Sequence, residues 1–586
     1  MLYILSGDIC KHLLSYGVDF RENLILYLVL IFICVCLCNY GVSLLLFILR
    51  PSIKAGLQTP PHVPFLVPIL GSIPLGLLWN PREFVLSSRL FWSPHPVRIS
   101  LLGQSIYLIQ GTANIAATLK QRHLSSFTLH GYILRHLFNL PRVALRTYHA
   151  DKSGGYLVPY ANAQVEPRNR VEFLAKDCVH RLLLGPGLVP LTKRLQIDLA
   201  NRVHYLPVGS DWVTWDNFLD LFLYDITSSA LDSLCGRYLL QRHPEFLKDL
   251  WTLDDNLWKL LWRFPRFLAP ASYTAQDRAL TALKDWHTWA QENFDPASVD
   301  EHGDDPYWGT QFFRDRQKTF QAMDGFDADA TASQDLAFLW GATNNVIATS
   351  FWTALEIFSD PELLTCIRKE GQSCLIRSAL GNNNIPFKIN IDKLTHQPLL
   401  QAVYAETLRL RVNGFFLWRL SHKDMDIHNY RIPMNHYVVS SPIPSHMDPA
   451  IWSVGQNAHY PVDEFRVGRW LKLRSSSQPI NPNADSPSRS EPEPELEFTT
   501  ELANNAGAWM PFGGGYHACP GRRFAKVMVM LSTVMLVMRY DVEILTDVRT
   551  LKMSMRNFGF GVPGPTERVQ ARIKRREMIF GQFGKG

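Results

Sequence analysis

The sequence predicts a mainly α-helical protein with small β-sheets, preceded by a single transmembrane helix. Three observations support this fold class. A charge-free apolar run covers 24–49, helical patterns recur through 76–420, and short proline-interrupted segments follow them. Hydrophobic residues make up 47% of the 586 residues and charged residues 19%, so the chain can bury a large core.

Charge and cysteine usage exclude several classes of protein. A net charge of +6 is small for this length, and no basic stripe alternates with aromatic residues, so no nucleic-acid partner is expected. The nine cysteines contain no C-x-x-C pair, which disfavours a disulfide framework or a zinc site. We therefore expect the bulk of the chain to lie in a reducing compartment.

The apolar run at 24–49 is long enough to cross a bilayer, for which about 20 residues suffice. A cleaved signal peptide is the competing interpretation, but its apolar region is about 7–15 residues and follows a basic start. Residues 1–23 carry mixed charge instead. A buried core helix fits less well, because the run is apolar on all sides. We predict a membrane anchor preceded by a short lumenal segment.

The charges around this run bear on its orientation. Arg50 and Lys54 follow it directly and favour a cytosolic C-terminal side, whereas Lys11 and Arg21 on the other side weaken this preference. Five prolines within 59–74 predict a stiff, non-helical hinge, 50–75, between the anchor and a domain that covers 76–586.

Within that domain, the clearest helix is the long, apolar, proline-free stretch 334–358, which is predicted to cross the centre of the protein. Asp360 and Pro361 then suit the N-cap and first turn of the next helix. A further helix is predicted over 396–412. The segment 474–500 is rich in serine, proline, asparagine and glutamate, which predicts a mobile surface insertion.

The stretch FGGGYHACPGRRFA, 512–525, places three glycines shortly before one cysteine and a helical pattern after it. Glycines allow a backbone to turn tightly and to approach a bulky group closely. Cys519 precedes the expected helix N-terminus, whose positive end lowers a thiol pKa and favours the thiolate, the form that binds metal.

The pattern Phe512-x-x-Gly515-x-x-x-Cys519-x-Gly521 resembles the haem-binding loop of the cytochromes P450. The resemblance implies that Cys519 is the axial ligand of the iron of haem b and that these four residues bind the cofactor. His517 stands where that loop usually has an arginine, and the resemblance assigns it to the cofactor site as well. The implied fold is the triangular, prism-like helical domain of that family.

Other motifs stand in the order that the family requires. Glu406 and Arg409 resemble its E-x-x-R pair, and Arg469 lies in a segment that resembles F-x-P-x-R-W. The resemblance implies that these three form one buried structural network, since buried charges must be paired. Arg419 is the implied partner of one haem propionate. No W-x-x-x-R motif for the second propionate is found.

The central helix departs from the usual family pattern A-G-x-D/E-T. Its stretch 341–352 most resembles the branch that contains cholesterol 7α-hydroxylase and prostacyclin synthase, and aligning on the terminal F-W puts Asn345 in the acid's place. Val346 takes the place of the threonine and cannot relay a proton. Asn345 and Thr349 lie one helical turn apart, so we expect them to share a face that could hold a relay water.

The resemblance implies a membrane-bound monooxygenase that inserts one oxygen atom of O2 into a lipophilic sterol, terpenoid, polyketide or fatty acid, as part of secondary metabolism. Electrons would come from a separate NADPH–cytochrome P450 reductase. The implied location is the endoplasmic reticulum membrane, with a single pass and a cytosolic catalytic domain. Two alternatives stay open: an isomerase or dehydratase that acts on a peroxide substrate without external electrons, and a non-catalytic haem sensor.

Overall fold

The computed structural model describes residues 24–49, 57–67, 71–72, 76–101, 103–376, 388–473, 496–504 and 507–576. The predicted lumenal segment 1–23 and the four flanking charges at positions 11, 21, 50 and 54 lie outside these ranges. The first helix, α1, covers Leu24–Ile48. Its stretch Leu26–Ile48 has a mean hydropathy of 2.5 and is only 6% buried, so it is long and apolar enough to cross a membrane.

Helices form most of the described domain. They are α2 (Gly76–Trp79), α3 (Pro81–Ser87), α4 (Thr112–Leu119), α5 (Phe127–Leu137), α6 (Arg142–Ala150), α7 (Val171–Leu183), α8 (Leu188–His204), α9 (Thr227–Cys235), α10 (Tyr238–Arg242), α11 (Phe246–Asp255), α12 (Leu257–Leu261), α13 (Pro270–Asn293), α14 (Gln311–Gln321), α15 (Ala328–Ser359), α16 (Pro361–Ser373), α17 (Ile391–Thr395), α18 (Pro398–Arg411), α19 (Pro442–His446), α20 (Pro449–Trp452) and α21 (Arg522–Arg539).

The strands are short and form several small sheets. They are β1 (Val97–Leu101), β2 (Gln104–Leu108), β3 (Leu124–Ser125), β4 (Val213–Trp215), β5 (Leu375–Ile376), β6 (Lys388–Ile389), β7 (Asn413–Gly414), β8 (Phe416–Leu420), β9 (Met425–Ile427), β10 (Tyr430–Ile432), β11 (Tyr437–Ser440), β12 (Leu471–Leu473), β13 (Leu496–Phe498), β14 (Tyr540–Ile544), β15 (Phe560–Gly561) and β16 (Ala571–Arg575). The largest sheet has the order β1-β2-β11-β8-β3. The predicted fold class, mainly α with small sheets, is confirmed.

The central helix is longer than the sequence pattern predicts. It begins at Ala328, where the Asp327 side chain accepts a hydrogen bond from the Ala330 amide, and it ends at Ser359. Asp360 then caps α16 by accepting from two amides, as expected. The helix predicted over 396–412 is α18, with Pro398 in its first turn. Proline is tolerated there because the first-turn amides have no partner within the helix.

The main hydrophobic core surrounds α15, which packs against α13, α18 and α21. Phe351 and Trp352 are fully buried on α15, and the hydroxyls of Thr353 and Thr407 lie 3.4 Å apart where α15 meets α18. The C-terminal half of α15 is therefore held against the layer formed by α18 and α21. The helix can therefore line a cavity without losing its position.

The structure changes the limits of two segments predicted from the sequence, the proline-rich hinge and the insertion at 474–500. The described part of the proline-rich hinge is hydrogen-bonded to the domain, because the amide of Val63 donates to Arg98 and the amide of Arg98 to Pro61. This part of the hinge therefore belongs structurally to the domain. The insertion predicted as mobile over 474–500 ends in an ordered strand, since β13 pairs antiparallel with β12. Its residues 474–495 lie outside the described ranges.

Candidate active site

The cysteine loop is closed by its own backbone hydrogen bonds. The amide of Cys519 donates to the carbonyl of Phe512 at 2.9 Å, and the amide of His517 donates to Gly514 at 3.0 Å. The helix α21 begins at Arg522, three residues after the cysteine. These bonds fix the position of the cysteine relative to the helix N-terminus.

The glycines of this loop accommodate a neighbouring helix, which the sequence does not reveal. Gly513 and Gly515 have φ values of +70° and +54°, which side chains disfavour. A Cβ on Gly515 would lie 2.1 Å from the carbonyl oxygen of Leu119, and one on Gly514 would lie 2.8 Å from the Leu119 side chain. The glycines thus make room for the end of α4. Gly515, predicted to bind the cofactor, supports the loop and does not line the cavity described below.

The thiol of Cys519 faces an internal cavity, so its surface is accessible although it lies deep in the protein. Burial raises the pKa of the Cys519 thiol, while the amides of Gly521 and Arg522 and the charge of Arg522 lower it. Burial is the largest of these effects, and the net direction for the free thiol is upward. The expected helix effect is present, but a bound cation must supply the rest, since coordination deprotonates a thiol.

The cavity has a volume of about 1180 Å³. One wall is the cysteine loop, which contributes Phe512, His517, Cys519 and Gly521, and another wall is the central helix α15. Small-molecule sites usually measure about 300–1,000 Å³. The cavity therefore has room for a bulky planar group over the thiol and for a second molecule beside it. Among the described cysteines, Cys519 is the one that lines this cavity.

The cavity has a cationic end that fits two carboxylates. Arg419 on β8 lines it, and the Arg419 Nε has no hydrogen-bond partner among the described residues. Lys176 on α7 lines it as well, with its ammonium 5.1 Å from the centre of the Tyr156 ring. Burial lowers the pKa of Lys176, although Glu172 opposes this effect. A partly buried cation and an unpartnered guanidinium nitrogen call for anionic partners such as two propionates.

Arg419 and Lys176 belong to the same end of the cavity. Ser125 pairs with Arg419 across β3 and β8, and its hydroxyl donates to Glu172, one turn before Lys176. His517 is also close, because the charge of Lys176 contributes to lowering the pKa of His517, after the larger effect of burial. The sequence did not identify Lys176. A lysine four residues after a glutamate is an ordinary helix pattern, and only the fold brings it to this site.

The two predicted relay residues line the cavity, but both already have partners. Asn345 Oδ1 accepts a hydrogen bond of 2.8 Å from the amide of Val562, and Thr349 Oγ1 donates to the Asn345 carbonyl at 2.7 Å. Gly561 has a φ of +126°, and a Cβ there would lie 2.1 Å from Asn345 Oδ1. Asn345 therefore holds the chain at 560–562 against α15, and a relay water would have to bind its remaining Nδ2. The relay stays a prediction.

The structure brings together the three residues of the expected charged network. Glu406 and Arg409 form a bidentate pair at 2.7 and 2.8 Å, and Arg469 Nε lies 3.3 Å from the same carboxylate. All three side chains are fully buried. Two further donors, which the sequence did not reveal, complete the carboxylate's shell: Trp470 Nε1 at 2.9 Å and the amide of Arg466 at 3.0 Å.

His446 connects this network to the cysteine loop. Its carbonyl accepts from Arg409 at 2.8 Å, and its ring Nε2 accepts from the amide of Met510 at 3.0 Å. Burial, and then the charge of Arg409, lower the pKa of His446 to about 3, so the ring is neutral and can accept. The charged network therefore positions the segment that leads into the cysteine loop.

Comparison with known proteins identifies the family. A family model for cytochrome P450 matches residues 213–571. The chain belongs to the cytochrome P450 family. It is similar to the cytochrome P450 monooxygenase fsoE of Humicola fuscoatra, with 28% identity over 89% of each chain. It also resembles the cytochrome P450 monooxygenase efuG of Hormonema carpetanum, with 26% identity over 89% of this chain and 91% of the relative.

A more distant relative of this P450 supports the predicted branch. The human 7-alpha-hydroxycholest-4-en-3-one 12-alpha-hydroxylase is 28% identical over 40% of this chain and 43% of its own length. The protein is thus a cytochrome P450 monooxygenase, and its cofactor is a haem held by a cysteine thiolate. The cavity, the thiol and the cationic end fit that group.

Proposed function

We propose that this P450 oxidises a rigid lipophilic molecule of the sterol or terpenoid class at the endoplasmic reticulum membrane. The observation that carries the proposal is the cavity itself, in which the Cys519 thiol and an apolar stretch of α15 form two walls. The printed name of the human relative describes hydroxylation of a steroid, which supports this class among the lipophilic substrates.

Each wall has a defined role in this proposal. Cys519 would hold the iron of haem b through its thiolate, and Arg419 and Lys176 would bind the two propionates. When bound, the haem supplies the chemistry that inserts one atom of O2 into the substrate. Apolar side chains on α15 exclude water from the reacting carbon. These are Ala337, Phe338, Ala342 and Val346.

Proton delivery in this chain does not use an alcohol at position 346. Thr349 Oγ1 donates to its own helix, so of these two cavity-lining residues Asn345 keeps a side-chain donor, its Nδ2, for a water. We infer that a water held by Asn345 Nδ2, or a hydroxyl of the substrate, completes the path. A positioned proton donor typically contributes about 10²–10⁴-fold in rate.

Electrons come from a separate NADPH–cytochrome P450 reductase in this proposal, and α1 anchors the domain on the cytosolic side. Arg50 and Lys54, directly after the apolar run, support that orientation. Protease added to intact microsomes should digest the domain and leave a short N-terminal fragment. Protection of the domain would reverse the orientation.

The test of the activity is turnover in microsomes that contain the protein, a reductase and a panel of sterols and terpenoids under labelled dioxygen. We expect one labelled oxygen atom in the product, and no product without reductase or NADPH. The variant Cys519→Ala serves as the haem-ligand control. Product that forms without reductase and carries no label would instead support rearrangement or dehydration of a peroxide substrate.

A further inference from the structure

A buried arginine lines the cavity far from the cysteine loop. Arg316 on α14 is 2% exposed, and its Nε donates to Asp335 Oδ1 at 2.7 Å. Asp335 is fully buried on α15, and His287 Nε2 lies 3.1 Å from its other oxygen. Burial would raise the pKa of Asp335, but Arg316 and His287 together hold it below its usual value. The carboxylate is therefore ionised and balances the arginine's charge.

The Arg316 guanidinium is fixed in place but incompletely hydrogen-bonded. It lies 4.9 Å from the centre of the Phe312 ring and 4.6 Å from that of Phe320, which restricts its rotation. A guanidinium has five N–H donors. Among the described residues, only its Nε has a partner, so the terminal nitrogens keep their donors free at the cavity. Buried donors without acceptors destabilise a site until a ligand satisfies them.

Three neutral polar side chains lie beside the guanidinium. Gln334 Nε2 donates to the Tyr148 hydroxyl at 2.5 Å, which leaves the Tyr148 proton free for a ligand, and His130 lines the same region. Burial, and then the charge of Arg316, lower the pKa of His130 to about 4, so this ring is neutral at pH 7. We call Arg316, Gln334, Tyr148 and His130 the arginine end of the cavity.

The arginine end is distant from the site of oxidation. Tyr404 on α18 lies near Cys519, because the charge of Cys519 raises the pKa of the Tyr404 phenol, after the larger effect of burial. The same helix, α18, contacts α15 at Thr353. The reacting end of α15 is therefore near Thr349 and Thr353. Gln334 lies roughly 22 Å along the helix from Thr349, at about 1.5 Å per residue.

We propose that the arginine end binds a neutral oxygen group of the substrate, a carbonyl or a hydroxyl, at the end of the molecule remote from the oxidised carbon. Arg316 donates to that oxygen, and Tyr148 supplies a second donor. Asp335 already balances the guanidinium charge, so a carboxylate there would bring an uncompensated buried charge. This inference rests on the proposed function and specifies its substrate as an amphiphile with an oxygen at its far end.

The test measures ligand binding through the absorption shift of the haem, which needs neither reductase nor oxygen. The probes share one skeleton: 5α-androstane, its 3-ketone, its 3β-alcohol and its 3β-carboxylic acid. We expect the wild-type holoprotein to bind the ketone or the alcohol about 10–100-fold more tightly than the hydrocarbon, as for a hydrogen bond to a charged group. The acid should bind no more tightly than the ketone.

The double variant Arg316→Met/Asp335→Asn removes both charges without leaving either one unpaired. It should lose the preference for the oxygenated probes and keep its affinity for the hydrocarbon. Tyr148→Phe should lose part of the preference for the oxygenated probes. This single variant provides the test if the double variant does not fold. The matched control is Arg314→Met/Asp305→Asn, which removes a buried ion pair of the same helix that does not line the cavity.

Several outcomes would overturn the inference: equal affinity for all probes, no binding of any oxygenated probe, or tighter binding of the acid. A loss of haem from the Arg316 variant, with selectivity unchanged, would instead assign this arginine to a propionate. If selectivity depends on Arg316 but no turnover occurs, the proposed function fails and the subsite stands. If turnover occurs and selectivity ignores Arg316, the subsite fails alone.

Discussion

The cysteine loop and the central helix line one cavity but use their polar groups in different ways. In the loop, the backbone amides are occupied within the chain and the Cys519 thiol is left free. On α15, Asn345 Oδ1 and Thr349 Oγ1 are occupied by neighbouring backbone, and the free guanidinium donors lie far away, on Arg316 of α14. The loop side is thus built to hold one fixed cofactor, and the helix side to select a substrate.

The largest effect is expected from removal of the Cys519 thiol. Cys519→Ala should abolish the thiolate–haem absorption of the reduced carbon monoxide complex, because the other described cysteines do not line the cavity. The absorption spectrum and the haem content measure this. Cys366→Ala, at an exposed position on α16, is the control and should leave the spectrum unchanged. Retention of the band in Cys519→Ala would remove the assignment of the ligand.

The second largest effect is expected beneath the loop side, at Glu406. Glu406→Gln leaves two buried guanidinium groups without their carboxylate, and breaking such a pair costs about 3–5 kcal/mol. We expect little folded, haem-loaded protein, measured by thermal unfolding and haem content. Glu543→Gln, in an exposed pair with Arg572, should change stability by about 1 kcal/mol or less. Normal holoprotein with Glu406→Gln would refute the structural role.

A smaller effect on stability should distinguish Gly515 from Gly521, although both belong to the cysteine-loop motif. Gly515→Ala places a Cβ against the Leu119 carbonyl in a left-handed conformation that disfavours side chains by roughly 1–2 kcal/mol before any clash. Gly521 has a φ of −75°, and a Cβ there would meet ordinary contacts at 3.7 Å or more. We expect Gly515→Ala to lower the melting temperature of the protein, and Gly521→Ala to leave that melting temperature nearly unchanged. Equal effects would show that the loop geometry is misassigned.

The smallest effect is expected on the helix side, from Val346→Thr. The hydroxyls of Thr349 and Ser350 both donate to carbonyls one turn earlier on α15, and the new hydroxyl would do the same toward Ala342. It would then add no proton path. We expect coupling of NADPH use to product to change far less than the 10²–10⁴-fold of a working relay. A large rise in coupling would show that proton delivery in the wild type is limited by the absence of a hydroxyl at position 346.

Much of the loop side could be predicted from the sequence, because it depends on a compact motif. The spacing of Phe512, Cys519 and Gly521 lies within ten residues, and the order of Glu406, Arg409 and Arg469 follows the family pattern. The reason for the glycines could not be predicted. It depends on Leu119, almost 400 positions earlier in the chain, which only the tertiary fold brings into contact.

The helix side was less predictable, because its interactions are long-range. Asn345 was identified by position, but its partner Val562 directly follows β15, more than 200 residues later in the chain. Lys176 and Arg316 lie on helices whose sequences carry no motif, and only their position at the cavity distinguishes them from other charged residues. The predicted helix ends agreed better with the structure, because capping residues such as Asp360 act locally.

The pairing of β12 with β13 has a practical consequence for engineering this enzyme. Antiparallel pairing of Leu473 with Leu496 fixes both ends of the intervening 474–495 within one ladder spacing, about 5 Å. The entropy of closing a loop rises only slowly with its length, by about 0.6 kcal/mol per doubling. A two-residue turn or an entire reporter domain could therefore replace this segment at similar stability, which would give a fluorescent label on the catalytic domain without touching the cavity.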